Sequence, residues 1–424
     1  MTDGVCRELL AANAVGTMTT TILPNDSTES GPARPCSASG AGRGLALPIR
    51  VCLVIDRLTT GGTEKQLLQL IDNFDRSRVE PFLCLLDGED EGSRAMEPTS
   101  CKVVRLGVHV LRRFSTLGAA FRLAKTFRVW GIDVVQVHFP ESTYFGVLAA
   151  RLAGVPRIVR TRRDLFYWVT PSHRRTGRWI DGFYNRFFVD AMITNSAACR
   201  QAALESERPA PKRVVVIENG IDLSRFDTVE FSPPMARAGS PRCVGAVAML
   251  RPEKRLDLLV KAAGILRDRG RDVRFEIAGE GPMRAPLEAR IRELGLSERF
   301  LLPGVARDVP AFLARLDIAA LCSESEGLSN ALIEYMVAGR AVVATAVGGN
   351  LELVQPETSG LLVPPADAVA LADAVDRLLG DPALAVRLGA AATATARARF
   401  SLHRTVRAHE DFYEQLVLGG LKAC

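Results

Sequence analysis

Residues 49–74 read IRVCLVIDRLTTGGTEKQLLQLIDNF. The first eight are almost continuously apolar and rich in Val and Ile, the pattern of a strand covered on both faces rather than of a half-exposed one. Gly61-Gly62 then punctuates a turn, and TEKQLLQLIDNF carries its apolar residues at helical spacing. The same alternation repeats outward along the chain. Short apolar runs follow at VEPFLCLL, CKVVRL, IDVVQVH, RIVRTR, AMITNS and RVVVIENG, with amphipathic stretches such as LGAAFRLAKTFRVWG and SAACRQAALES between them. Buried strands alternating with helices predict a doubly wound α/β sheet.

Residues 224–241, SRFDTVEFSPPMARAGSP, interrupt the pattern with Pro, Gly and Ser and read as a linker. The alternation then restarts at RCVGAVAML and continues through VRFEIAGEG, RFLLPG, LDIAALCS, AVVATAV and GLLVP. The expected organisation is a disordered tail at 1–47 rich in Ser, Thr, Ala, Gly and Pro, and a first Rossmann-like domain at 48–223. The linker, a second Rossmann-like domain at 242–400 and a closing helical segment at 401–424 follow. Two such halves make a cleft, the place where ligands of these folds bind.

The formal charge is +6, with 54 Lys and Arg against 48 Asp and Glu. That mild excess suits a phosphate ligand or an anionic membrane surface and is no nucleic-acid footprint. Nine cysteines are scattered singly without a Cys-x-x-Cys pair, which argues against a metal knuckle and for a reducing, cytoplasmic setting. There is no run of 18 apolar residues and no basic-then-apolar leader pattern at the start.

The chemistry concentrates at 323–354, SESEGLSNALIEYMVAGRAVVATAVGGNLELV. A strand ends in a loop carrying Glu326, and Ser329 is an expected N-cap for the helix from Asn330. The free amides of Ser329, Asn330 and Ala331, with Leu328 beside them, would then form an anion site at the sheet's carboxyl edge. Glu334, one turn in, can reach a ribose; its other reading is support of the helix dipole. The spacing Glu326-x7-Glu334 resembles the E-x7-E motif of retaining GT-B glycosyltransferases, and the extended stretch resembles the GT4 family. The other landmarks fall in that family's order: Gly61-Gly62, His138, ENGID at 218–222, LRPEK at 250–254 and IAGEGP at 277–282.

That resemblance, spanning about residues 49–418, implies a retaining transfer of sugar from a nucleotide-diphosphate donor (UDP- or GDP-linked) to a glycan or lipid-linked hydroxyl. It implies that Glu326 stabilises the reacting sugar, that His138 contacts its hydroxyls or orients the acceptor, and that Lys254 holds the departing diphosphate. Gly61, Gly62 and the Ser329–Ala331 amides would share the diphosphate, with Glu334 on the ribose and backbone near Val305 on the base. The family's usual Arg is replaced by Met249, leaving Arg251 or Arg255 as candidates for its work. No Asp-x-Asp occurs, so no metal and no other cofactor is expected. The basic-aromatic segment 157–179 offers Arg162 and Arg163 for an acceptor phosphate or an anionic lipid surface. An epimerase of similar fold, which would need no acceptor, and a catalytically silent membrane scaffold are the competing readings.

Overall fold

The apolar runs pair with one another and each becomes a parallel strand, the central ones buried on both faces and the edge strands partly exposed. The computed structural model describes residues 47–87, 90–108, 115–165, 181–235 and 241–419, and all of them lie in one compact unit. The first half is a seven-stranded sheet: β1 Ile49–Ile55, β2 Val79–Leu85, β3 Lys102–Arg105, β4 Val134–Val137, β5 Arg157–Arg162, β6 Ala191–Thr194 and β7 Val214–Val216. The second is six-stranded: β8 Arg242–Val247, β9 Val273–Ala278, β10 Phe300–Gly304, β11 Ile318–Leu321, β12 Ala341–Thr345 and β13 Leu361–Val363.

Both sheets are parallel throughout, in the orders β3-β2-β1-β4-β5-β6-β7 and β10-β9-β8-β11-β12-β13. Each is the doubly wound arrangement, which reverses direction between its first and fourth strands. The carboxyl ends at that reversal diverge and leave a crevice where ligands settle. Gly61-Gly62 and His138 follow β1 and β4; Lys254 and Glu326 follow β8 and β11. The two crevices face each other.

The closing helix, Leu402–Val417, returns to the first half. Its Leu402, Val406, Phe412, Tyr413 and Leu416 join the core built on β1. Arg78 binds Glu410, Asp411 and Glu414 of that helix at 2.8, 2.7 and 2.7 Å. No described helix is long and apolar enough to cross a membrane.

The segment read as a linker is not a free tether. Phe226 and Met235 are buried, Asp317 accepts from the Met235 amide at 2.9 Å, and the Arg340 guanidinium donates to Ser232 O at 2.7 Å. It opens with the short helix Ser224–Asp227, and its apolar residues Phe226 and Met235 dock on the second half; residues 236–240 lie outside the described residues. The tail at 1–46 and most of the basic-aromatic segment, 166–180, lie outside the described residues.

Candidate active site

A cleft of about 590 Å³ runs between the two crevices. On its second-half wall, the 3-10 turn Pro252–Lys254 brings Lys254 Nζ to Glu326 Oε1 at 2.7 Å, and Ser323 Oγ donates to the same oxygen at 2.6 Å. The Glu324 amide donates to Glu253 O at 2.9 Å, so backbone fixes the two loops before any side chain meets. Glu326 is 9% exposed and still lines the cleft.

Ser329 caps the helix Asn330–Val337, its Oγ accepting from the Leu332 amide at 3.3 Å. Leu328, Ser329, Asn330, Ala331 and Glu334 all line the cleft, as does the exposed Val305. Burial raises the Glu334 carboxyl above its usual range, with Lys65 and Arg225 pulling the other way. Those two cations also line the cleft, together with Arg163, Lys254 and Arg307.

Three sequence expectations need correction. Arg251 is outside the cleft wall, half exposed and 4.0 Å from Glu253, while Arg255 turns to Asp257 at 3.2 Å. Cations from other elements, Lys65, Arg225 and Arg307, stand along the cleft lined by Met249. Arg162 is held inside the fold and not on the main cleft: it is buried, with Nη1 donating to Glu207 Oε1 at 2.6 Å and Nη2 to Leu165 O at 3.0 Å, and it reaches only the wall of a small side chamber. Strand alternation puts Arg160 and Arg162 on one face, where both pair with Glu207. Lastly, the two glycines divide their work. A Cβ on Gly61 would lie 2.4 Å from Glu64 Oε2, so Gly61 makes room for a side chain of its own helix. Gly62 is the one that lines the cleft, its carbonyl accepting from Asn330 Nδ2 at 3.4 Å.

Arg163, just past the strand end, does face the cleft, and its Nη1 is buried without a partner among the described residues; burial lowers its guanidinium to about 10. Beside it a small chamber of about 60 Å³ is walled by Thr63, His138, Thr161, Arg163, Asp164 and Glu207 among others. His138 is 2% exposed, and burial, then Arg163 and His409, push its imidazole well below the usual value, leaving it neutral. Burial likewise raises Asp164 to about 6.

Two residues of the quoted motifs, Glu352 at the end of 323–354 and Asn219 in ENGID, join the halves. Glu352, in the short helix Asn350–Leu353 of the second half, accepts from the Ala197 and Ala198 amides at 2.9 and 2.7 Å. Those amides begin the helix Ala197–Glu207 of the first half, so the carboxylate clasps the halves through a helix N-terminus. Asn219 bridges similarly, donating to Leu328 O at 3.1 Å and Asn330 Oδ1 at 2.8 Å. Among the described residues, no group of three or more metal-ligating side chains comes together.

His409, on the closing helix near His138, predicts an acid sensitivity. It is buried, its Nδ1 bonded to Thr405 O at 2.8 Å, and burial lowers it from 6.5 to about 4. The unfolded chain takes up this proton near 6.5, so the contribution is whole above that pH and is lost as pH falls towards 4. Between pH 7.5 and 5 the wild type should lose about 2 kcal/mol more stability than His409→Gln, measured by urea unfolding at both pH values. Equal losses would contradict this assignment.

Two doubly wound sheets whose paired crevices enclose one polar, cation-lined cleft define the GT-B fold. Family comparison agrees: residues 60–225 match the model for Glycosyltransferase Family 4, and residues 230–395 that for glycosyl transferases group 1. The chain belongs to the family 4 glycosyltransferases.

The 2-deoxystreptamine glucosyltransferase of Streptomyces kanamyceticus is 32% identical over 275 residues, 61% of this chain and 71% of that protein. The UDP-Gal:alpha-D-GlcNAc-diphosphoundecaprenol alpha-1,3-galactosyltransferase of Escherichia coli is 26% identical over 313 residues, 71% of this chain and 78% of that one. Among solved structures, Anabaena Alr3699/HepE in complex with UDP and glucose superposes with a TM-score of 0.75 at 21% identity, covering 87% of this chain and all of that one (100%).

Proposed function

We propose that this glycosyltransferase moves a sugar from a nucleotide diphosphate, UDP or GDP, to a hydroxyl of a glycan or lipid-linked acceptor, with retained configuration and without a metal ion. One observation carries the reading: Lys254 and Glu326 meet at 2.7 Å at the second crevice, on a cleft whose other wall includes Arg163 of the first half. The relatives' named donors and acceptors support it, since the E. coli protein takes UDP-Gal and a diphosphoundecaprenol-linked sugar.

In this scheme the diphosphate lies across the amides of Ser329, Asn330 and Ala331 and against Lys254. Those fixed dipoles and that charge stabilise the leaving group as its charge grows. Lys65, Arg225 and Arg307 add positive potential along the cleft, the work otherwise given to a cation. Both donors to Glu326 use Oε1, so Oε2 is left for the reacting sugar and for the positive charge that develops on its ring. Glu334 takes the ribose hydroxyls and backbone at Val305 borders the base. The departing phosphate oxygen accepts the acceptor's proton as the hydroxyl attacks the same face, which preserves the anomer.

The acceptor comes from the first half, past His138 and Arg163. A cytoplasmic membrane contact belongs to the same proposal: Phe183 and Phe187 are 53% and 60% exposed beside the basic segment, with Arg186 packed over the Phe187 ring at 5.8 Å. Amphipathic surface of this kind suits an anionic lipid boundary.

The test is turnover of α-linked UDP- and GDP-sugars with a panel of glycan and lipid-linked acceptors in EDTA, read by proton NMR of the product. An α-linked product formed in EDTA is expected. A β-linked product, or transfer only after a divalent ion is added, would overturn the retaining, metal-free reading.

A further inference from the structure

Gln136 is a polar side chain in the middle of β4, and it is wholly buried. A buried amide has to be satisfied, and its two partners are informative. Tyr413 of the closing helix, also wholly buried, donates its hydroxyl to Gln136 Oε1 at 2.7 Å. That leaves the amide NH₂ facing the other way, 3.5 Å from His138 Nε2. We propose that Tyr413 and Gln136 are positioning residues that hold His138 as its Nδ1–H tautomer, so that the ring offers a hydrogen-bond donor to the substrate.

The reasoning is one of donors and acceptors. An amide nitrogen only donates, so His138 Nε2 must accept from it. A neutral imidazole with Nε2 as acceptor carries its proton on Nδ1. The ring is neutral, being enclosed and near both Arg163 and His409. His138 Nδ1 has no partner among the described residues, and the ring lines the small chamber next to the main cleft. Thr161 Oγ1, Arg163 Nη1 and Asp164 Oδ1, from the same chamber wall, are buried and likewise have no partner among the described residues.

Four unsatisfied polar atoms around one cavity point to a polar ligand, a sugar or cyclitol hydroxyl, with His138 as one of its donors. This last step rests on the glycosyltransferase reading; the tautomer itself does not. Because Tyr413 belongs to the chain's last helix, docking of that helix on the first half also sets the ring.

The experiment is ¹⁵N NMR of imidazole-labelled full-length protein, without substrate, combined with steady-state transfer kinetics. His138→Gln identifies the resonance. Wild type is expected to show His138 as Nδ1–H. Gln136→Glu at pH 9 presents a carboxylate that only accepts, so the proton should move to Nε2 and kcat should fall about tenfold, the loss of one substrate hydrogen bond. Tyr413→Phe frees the amide and should give a mixture of tautomers with a smaller fall, while nucleotide affinity stays unchanged in both. An Nε2–H tautomer in the wild type would overturn the proposal, as would a flipped tautomer with undiminished transfer. If Gln136→Glu does not fold, the wild-type and Tyr413→Phe spectra still decide. Absence of transfer by wild type with the expected tautomer would count against the enzymatic reading alone.

Discussion

Glu326→Gln should lower transfer by about 10²- to 10³-fold while nucleotide affinity changes by less than about threefold, the usual loss for a group that acts mainly on transition-state charge. The substitution keeps the side chain's size, so the loop between β11 and the Asn330 helix keeps its shape. What it removes is the charge that Lys254 and Ser323 hold in place at 2.7 and 2.6 Å. In the resting cleft Lys254 is paired with this carboxylate; in the proposed scheme its charge is shared with the leaving group once a diphosphate binds. An amide at 326 cannot stabilise a cationic ring, but it leaves the helix amides and Lys254 for the nucleotide. Single-turnover rates and calorimetric affinity separate the two effects. A loss of affinity equal to the loss of rate would show that Glu326 only binds the donor.

Gly327→Ala is expected to lower transfer at least about 10²-fold although the chain still folds, because misplacing reacting groups by about 1 Å has that cost. Gly327 belongs to the second half, yet a Cβ built on it would lie 2.1 Å from Arg163 O and 2.9 Å from Cys199 Sγ of the first. Arg163 O is backbone and cannot turn aside. Behind Gly327 the chain is equally tight, since a Cβ on Gly349 would lie 1.9 Å from Gly327 O. The methyl group must therefore push the halves apart, parting Glu352 from the Ala197 and Ala198 amides and Asn219 from Leu328. Small-angle scattering with nucleotide bound should show a wider interdomain angle in this variant. A variant with wild-type rate and scattering would mean that the halves do not work in the closed arrangement.

Much of this was legible because strands buried on both faces leave continuous apolar runs, and the thirteen described strands, the partly exposed edges included, lie where the apolar runs were read. The loops at the sheet edges were legible too, since Ser329 capping a helix and Gly62 opening one are local features. What the sequence hid depends on partners far along the chain. Glu352 and Ala197 are 155 residues apart, and Gln136 and Tyr413 are 277 apart. A polar Gln inside an otherwise apolar strand was the available signal for the second pair. Arg162 and Arg163 look equivalent in a basic segment; only the strand's alternation, and its end at Arg162, sends one inward to Glu207 and the other to the cleft.

The most direct test of the central claim is calorimetric titration of UDP and GDP in EDTA into wild type and Glu334→Ala. The account predicts metal-independent binding of at least one nucleotide to the wild type, with affinity about ten- to a hundredfold weaker in the variant, since a charged group's hydrogen bonds to the ribose hydroxyls are worth on the order of 1.5–3 kcal/mol. Binding that requires a divalent ion, or equal affinity in the two proteins, would contradict the placement of the donor along Lys254, the Asn330 helix and Glu334.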